Sequence, residues 1–117
     1  MSGKDKFKKP WGFFVTLHKE DGFIVKKIVV KPQHRLSLQR HLYRSEHWHV
    51  INGKGELQLE EKRIHIETGT SVDIPQNAWH RISNSGSIDL IFIEIQRGSS
   101  LTEEDIERKE DDYGRAD

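Results

Sequence analysis

The 117-residue sequence has no cysteine. A disulfide framework and thiolate chemistry are both excluded, which suits a cytoplasmic protein. No apolar run approaches the roughly 18 residues that a membrane span needs. The lysine-rich start lacks an apolar segment behind it and does not read as a signal peptide. An excess of charge is missing too, since 19 Lys and Arg balance 19 Asp and Glu. With no global basic field, nucleic acid is not an expected partner, and neither is a membrane. The run KDKFKK, Lys4 to Lys9, reads as a solvated tail. Hydrophobic residues make up only 33%. A core is possible but not generous, and a homodimer is expected to extend it. The length predicts one domain, residues 9–117, behind a disordered tail over residues 1–8.

What is present is a succession of short β-prone runs. Phe13–Leu17 and Phe23–Lys31 flank an Asp21-Gly22 hairpin turn. Pro32-Gln33 breaks the second run. Leu36–His41, Glu46–Ile51, Gly55–Glu60, Arg63–Glu67, Ser71–Ile74, Trp79–Ser83 and Asp89–Gln96 follow, with turns between them. Such spacing predicts an all-β sandwich or barrel. Near the end, Thr102-Glu103-Glu104-Asp105 resembles a capping box and predicts a short helix to about Lys109.

Two segments carry metal-binding chemistry. QRHLYRSEHWHVING, from Gln39 to Gly53, offers Gln39, His41, Glu46 and His47. Gln39 and His41 share a face of a regular strand, whereas His47 faces away from Glu46 and stands in reserve. GTSVDIPQNAWHRISN, from Gly69 to Asn84, adds His80. An amide, two imidazoles and a carboxylate make a mixed N/O site for a divalent ion, with positions left for water or substrate. His18, His34, His49 and His65 read as ordinary surface or packing residues.

The spacing within both segments resembles the cupin superfamily. Gln39, His41, Glu46 and Gly53 fall at the places of the first cupin motif, with Gln33 where glycine is usual. Gly69, Pro75, His80 and Asn84 fit the second, with Asn77 replacing a glycine. Asn is the mildest replacement in a left-handed turn. The resemblance implies a double-stranded β-helix, the cupin jelly roll, here with a short C-terminal helix. Its implied ligands are Gln39, His41, Glu46 and His80.

Further blocks resemble one cupin family, the C-terminal isomerase domain of type II mannose-6-phosphate isomerase / mannose-1-phosphate guanylyltransferase. They include Lys9-Pro10-Trp11-Gly12, Leu36-Ser37-Leu38-Gln39, Arg44-Ser45-Glu46-His47-Trp48, Trp79-His80-Arg81 and Asp112-Tyr113-Gly114-Arg115. The family carries histidines where this chain has Leu42 and Tyr43, and tyrosine where it has Ser100. No nucleotidyltransferase half accompanies the match, so the resemblance implies no guanylyl transfer.

It implies a sugar-phosphate partner and interconversion of mannose 6-phosphate and fructose 6-phosphate through an enediol. The cofactor is one divalent metal ion, with zinc first and Mn, Co, Ni and Fe as alternatives. Glu94 is the candidate base, or else a partner of a ligating histidine or a structural glutamate. Lys26, inside an apolar strand, is a candidate interior cation with a catalytic role. Arg44, Arg97 and Arg108, with Tyr43 and Gln96, are candidates for binding the substrate, and Arg115 is a further phosphate candidate. Trp11 and Trp79 are candidate linings of a sugar site. The competing readings are a non-catalytic metal- or sugar-binding cupin and another metal-cupin enzyme such as an oxygenase.

Overall fold

A computed structural model describes residues 5–115. Its strands, in chain order, are β1 (Lys6–Lys9), β2 (Gly12–Glu20), β3 (Phe23–Val30), β4 (His34–Arg35), β5 (Leu38–Arg40) and β6 (Arg44–Asn52). Then come β7 (Lys54–Leu59), β8 (Lys62–Glu67), β9 (Ser71–Ile74), β10 (His80–Asn84), β11 (Leu90–Gly98) and β12 (Glu107–Glu110). One sheet runs β1-β2-β3-β11-β6-β9, and the other runs β12-β5-β10-β7-β8 with β4 also on β10. All the pairings are antiparallel. The expected all-β jelly roll is the architecture found.

Strict alternation builds the interior. On β6 the buried positions are Arg44, Glu46, Trp48 and Val50, and on β11 they are Leu90, Phe92, Glu94 and Gln96. Period-2 alternation sends each set to one face, so both line the inside of the roll. The apolar members meet Val30, Leu57, Ile66 and Ile82 in one core cluster. Trp48 stacks on Phe92 with ring centroids 4.4 Å apart. Gly98 lets two of these strands close up. A Cβ there would lie 2.0 Å from the Tyr43 carbonyl oxygen, closer than any side chain permits.

Two motif positions take the left-handed backbone that glycine favours. Gln33 has φ 64° and Asn77 φ 66°, at the places where the cupin motifs carry glycine. Gln33 adds side-chain bonds from Nε2 to the carbonyls of Ser85 (2.8 Å) and Gly86 (3.0 Å).

Three expectations are corrected. Lys6–Lys9, read as tail, forms β1 on β2. Phe7 stacks on Phe14 at 4.9 Å, and lysines flanking it keep an exposed edge polar; residues 1–4 lie outside the described residues. The run Leu36–His41 narrows to β5, with β4 just ahead of it, and the two pair with different parts of β10. The C-terminal helix does not form. Thr102 makes only a turn, its carbonyl accepting from Asp105 N at 3.2 Å. Asp105 does not close a capping box, because its carboxylate accepts from Leu42 N (2.8 Å) and Tyr43 N (2.9 Å). Glu107–Glu110 then pairs with β5. So short a helix is marginal alone, and the sheet edge offers a ladder of hydrogen bonds in its place.

Candidate functional site

One end of the roll opens into a cavity of about 120 Å³. It is lined by Gln39, His41, Arg44, Glu46, Glu94 and Gln96, with other residues around them. His80 stands directly across the ladder from Gln39. Facing residues of an antiparallel pair share a side of the sheet, so both look inward. His41, Glu46 and His80 each offer a ligand atom, and these atoms lie within 4.8 Å of one another.

Each imidazole is oriented from behind. His41 Nδ1 is 2.8 Å from the Asp105 carbonyl, and His80 Nδ1 is 3.0 Å from the Ala78 carbonyl. A carbonyl only accepts, so both rings carry their proton on Nδ1 and turn the Nε2 lone pair inward. Nε2 of His80 is fully shielded and has no hydrogen-bond partner among the described residues. Such an orphan costs about 1–3 kcal/mol and calls for an occupant. Burial pulls the His80 and His41 pKa values down, that of His41 to about 4. Neutral imidazoles are what a metal ion requires. Two imidazole nitrogens, a carboxylate and a nearby amide therefore fit a divalent ion.

Glu46 is held by a ring of donors. Arg44 places Nε and Nη2 each 2.9 Å from Glu46 Oε2, and Trp48 Nε1 donates to Oε1 at 2.9 Å. Burial pushes the Glu46 pKa up, but the Arg44 guanidinium leads the opposing interactions and the carboxylate stays ionised. Glu94 goes the other way. Burial, then the charge of Glu46, pushes it up to about 8. It hydrogen-bonds Glu46 and accepts from Gln96 Nε2 at 2.6 Å. Lys26 faces Glu94 across the ladder, and its Nζ is 2.6 Å from Glu103 at the rim.

Sequence reasoning placed several other residues here that lie elsewhere. His47 points outward to Asp73 at 2.7 Å, as its position after Glu46 implied. Arg97 is exposed on the outer face of β11, because odd positions there alternate away from the roll. Tyr43 is 51% exposed, so its side chain is not in the cavity. Trp79 lies outside as well, under Arg40 (4.7 Å) and Lys109 (5.5 Å), whereas Trp11 does line the cavity. Arg108 reaches the cavity, and so do Arg115 and Lys9. Asp105 was missed in this role. Its signal, a carboxylate three residues after a threonine, pointed to a helix cap.

Comparison with known proteins bears on the same region. Residues 2–111 match the family model described as mannose-6-phosphate isomerase C-terminal. The chain is 45% identical over 107 residues to the alginate biosynthesis protein AlgA of Pseudomonas aeruginosa, covering 92% of this chain and 22% of that protein. It is 43% identical over 110 residues to the xanthan biosynthesis protein XanB of Xanthomonas campestris, covering 94% and 24%. A mannose-1-phosphate guanylyltransferase of Salmonella muenchen is 41% identical over 106 residues, covering 91% and 22%. The chain thus spans 22–24% of the length of these relatives. Among solved structures, the capsular polysaccharide assembling protein CapF of Staphylococcus aureus superposes with a TM-score of 0.80 at 21% identity, over 94% of this chain and 33% of that one. The Cnp3 cupin domain of Schizosaccharomyces pombe gives 0.71 at 14% identity, over 74% and 64%. These two likenesses concern the fold.

Proposed function

The chain belongs to the mannose-6-phosphate isomerase C-terminal family, and from that premise we propose that it interconverts mannose 6-phosphate and fructose 6-phosphate. Gln39, His41, Glu46 and His80 would hold one divalent ion. The observation that carries the reading is the shielded, unpartnered Nε2 of His80, aimed at a neutral imidazole and an ionised carboxylate. A bound divalent ion supplies a Lewis acid for the sugar carbonyl and for the oxyanion that develops on it.

The remaining chemistry falls to the chain. Glu94 takes the proton from C2 and returns it to C1, while the O2 hydroxyl proton passes to O1 as the carbonyl moves from C1 to C2. A group near pKa 8 is suited to both, because proton transfer is most effective when the pKa lies close to the working pH. Gln96 fixes the Glu94 carboxyl, and Lys26 sets a positive charge opposite it. Arg44 keeps Glu46 ionised and in place. The inner space, about 120 Å³, is smaller than the roughly 300–1,000 Å³ of a pocket that engulfs a whole small molecule. The reacting end of the sugar enters, and the phosphate stays at the rim with Arg108.

Leu42 and Tyr43, where the family has histidines, present exposed side chains and contribute backbone N–H groups. Their change takes nothing from the interior, which argues against a non-catalytic cupin. The deciding assay incubates purified protein with mannose 6-phosphate and each of Zn, Mn, Co, Ni and Fe(II). Fructose 6-phosphate is expected to form, and EDTA or His80→Ala to abolish it. Metal binding without turnover, or oxygen uptake by the iron-loaded protein, overturns the reading.

A further inference from the structure

The loop between β5 and β6, residues 41–43, leaves one sheet for the other. Its backbone groups lose their ladder partners there, and each buried one must find another. Two clamps supply them. From one side, Asn77 N donates to the His41 carbonyl (2.9 Å) and Gln76 Nε2 to the Leu42 carbonyl (2.9 Å). From the other side, a single residue provides three bonds. Asp105 accepts from Leu42 N at 2.8 Å and Tyr43 N at 2.9 Å through its two carboxylate oxygens. It accepts from His41 Nδ1 at 2.8 Å through its own carbonyl. Asp105 is itself buried, and it is preceded by Glu103, which pairs with Lys26.

We infer that Asp105 is a positioning residue of the metal centre: it docks the C-terminal segment on the 41–43 loop and thereby sets the tautomer and aim of the His41 ring. The side chain fixes where the segment sits. The carbonyl, so placed, accepts the Nδ1 proton and leaves Nε2 with its lone pair toward Glu46 and His80, where Arg44 Nη2 also meets it at 3.3 Å. Without the side-chain bonds the carbonyl drifts, and the imidazole loses the partner that selects one tautomer. This inference rests on the metal reading of His41, Glu46 and His80, but not on any particular reaction.

The test uses the full chain, with Asp105→Ala, Asp105→Asn and Asp112→Asn. Asp112 lies further along the same segment and pairs with Arg35 of β4 at 2.7 and 2.9 Å. Ring ¹⁵N resonances of metal-free, histidine-labelled protein are assigned to His41 by their loss in His41→Gln. They are expected to show one tautomer in the wild type and a mixture in Asp105→Ala. Cobalt(II) titration followed by visible absorption should show affinity falling about 10- to 100-fold in Asp105→Ala, the usual cost of losing a partner behind a ligand. Asp105→Asn keeps one acceptor oxygen and should fall between. It also supplies the reading if the alanine variant does not fold.

Asp112→Asn should leave both the tautomer and the cobalt affinity unchanged. An unaltered tautomer and affinity in both Asp105 variants overturns the inference. So does an equal loss in Asp112→Asn, which would make undocking of the tail as a whole the cause. If the wild type binds cobalt but isomerises nothing, only the isomerase reading falls. If it binds no cobalt, the metal reading and this inference fall together.

Discussion

The two ends of the roll are built by the same strands and differ in chemistry. Along β6 the inward residues pass from Arg44 and Glu46 to Trp48 and Val50, and along β11 from Gln96 and Glu94 to Phe92 and Leu90. On β3 the change is from Lys26 to Ile28 and Val30, and on β10 from His80 to Ile82. β6 and β11 therefore switch from polar to apolar partway along, whereas β3 also buries Ile24 beyond Lys26 and β10 also buries Asn84 beyond Ile82. Trp48 marks the boundary: its indole N–H donates to Glu46, its ring stacks on Phe92, and its edge meets His80 at 5.9 Å. The apolar end is where burial stabilises. The polar end buries charge, which seldom adds net stability even when well paired. One end holds the roll closed, and the other spends some of that stability on chemistry.

If this division is right, mutations at the two ends should fail in different assays. The largest effect is expected from Glu94→Gln. The amide can donate to Glu46 and accept from Gln96 as the protonated acid does, so the unfolding free energy should hardly change. Isomerase kcat/KM should nevertheless fall by about 10²- to 10⁴-fold, the usual share of a general base. A comparable loss of stability would break the comparison. At the other end, Ile66→Ala should cost about 2–5 kcal/mol in urea unfolding. Ile66 is fully buried in the core cluster and does not line the cavity. Metal affinity of the folded protein should be untouched, as measured by cobalt titration. Trp48→Phe, at the boundary, keeps an aromatic ring but removes the indole donor from Glu46 Oε1. It should cost about 1–3 kcal/mol and also weaken metal binding, the one substitution of the three to move both.

How much of this was legible in the sequence follows from locality. Strand positions and the Asp21-Gly22 hairpin rest on alternation and turn chemistry within a few residues. The fixed spacing of Gln39, His41, Glu46 and His80 survives folding because cupin strands hold it in register. Gln33 and Asn77 were readable as glycine substitutes because the motif marks their places, and both adopt positive φ. What failed was non-local. Arg97 stood beside Arg108 as a phosphate candidate, though only Arg108 had the family resemblance behind it, and the face Arg97 occupies takes it out of the cavity. Asp105 obeyed a local capping rule, yet its carboxylate found two backbone donors more than sixty residues back. The lysines of β1 looked like tail because the pairing that orders them comes from β2.

The smallest effect sharpens the comparison at the rim of the polar end. There the last residues are tied down by ions as well as by Tyr113 packed against the core. Asp111 accepts from Arg115 N (2.6 Å), Nε (2.8 Å) and Nη2 (3.0 Å), and Arg115 lines the cavity. Hydrogen bonds from Arg115 hold the Asp111 pKa down at about 2. The Arg35 guanidinium likewise lowers Asp112. A depressed carboxyl contributes stability above its unfolded pKa and loses it as the pH falls through the folded value. The tail should therefore be fully held above about pH 4 and should loosen as the pH drops through 2. Tyr113, ring-stacked on His34 at 6.3 Å, reports the change through its aromatic proton shifts. Those shifts should move toward free-tyrosine values in acid while the Phe92 resonances stay dispersed. Asp111→Asn should shift Tyr113 the same way at pH 7. Joint movement of both rings would mean that the rim and the core unfold together, and the two ends would not then be separable.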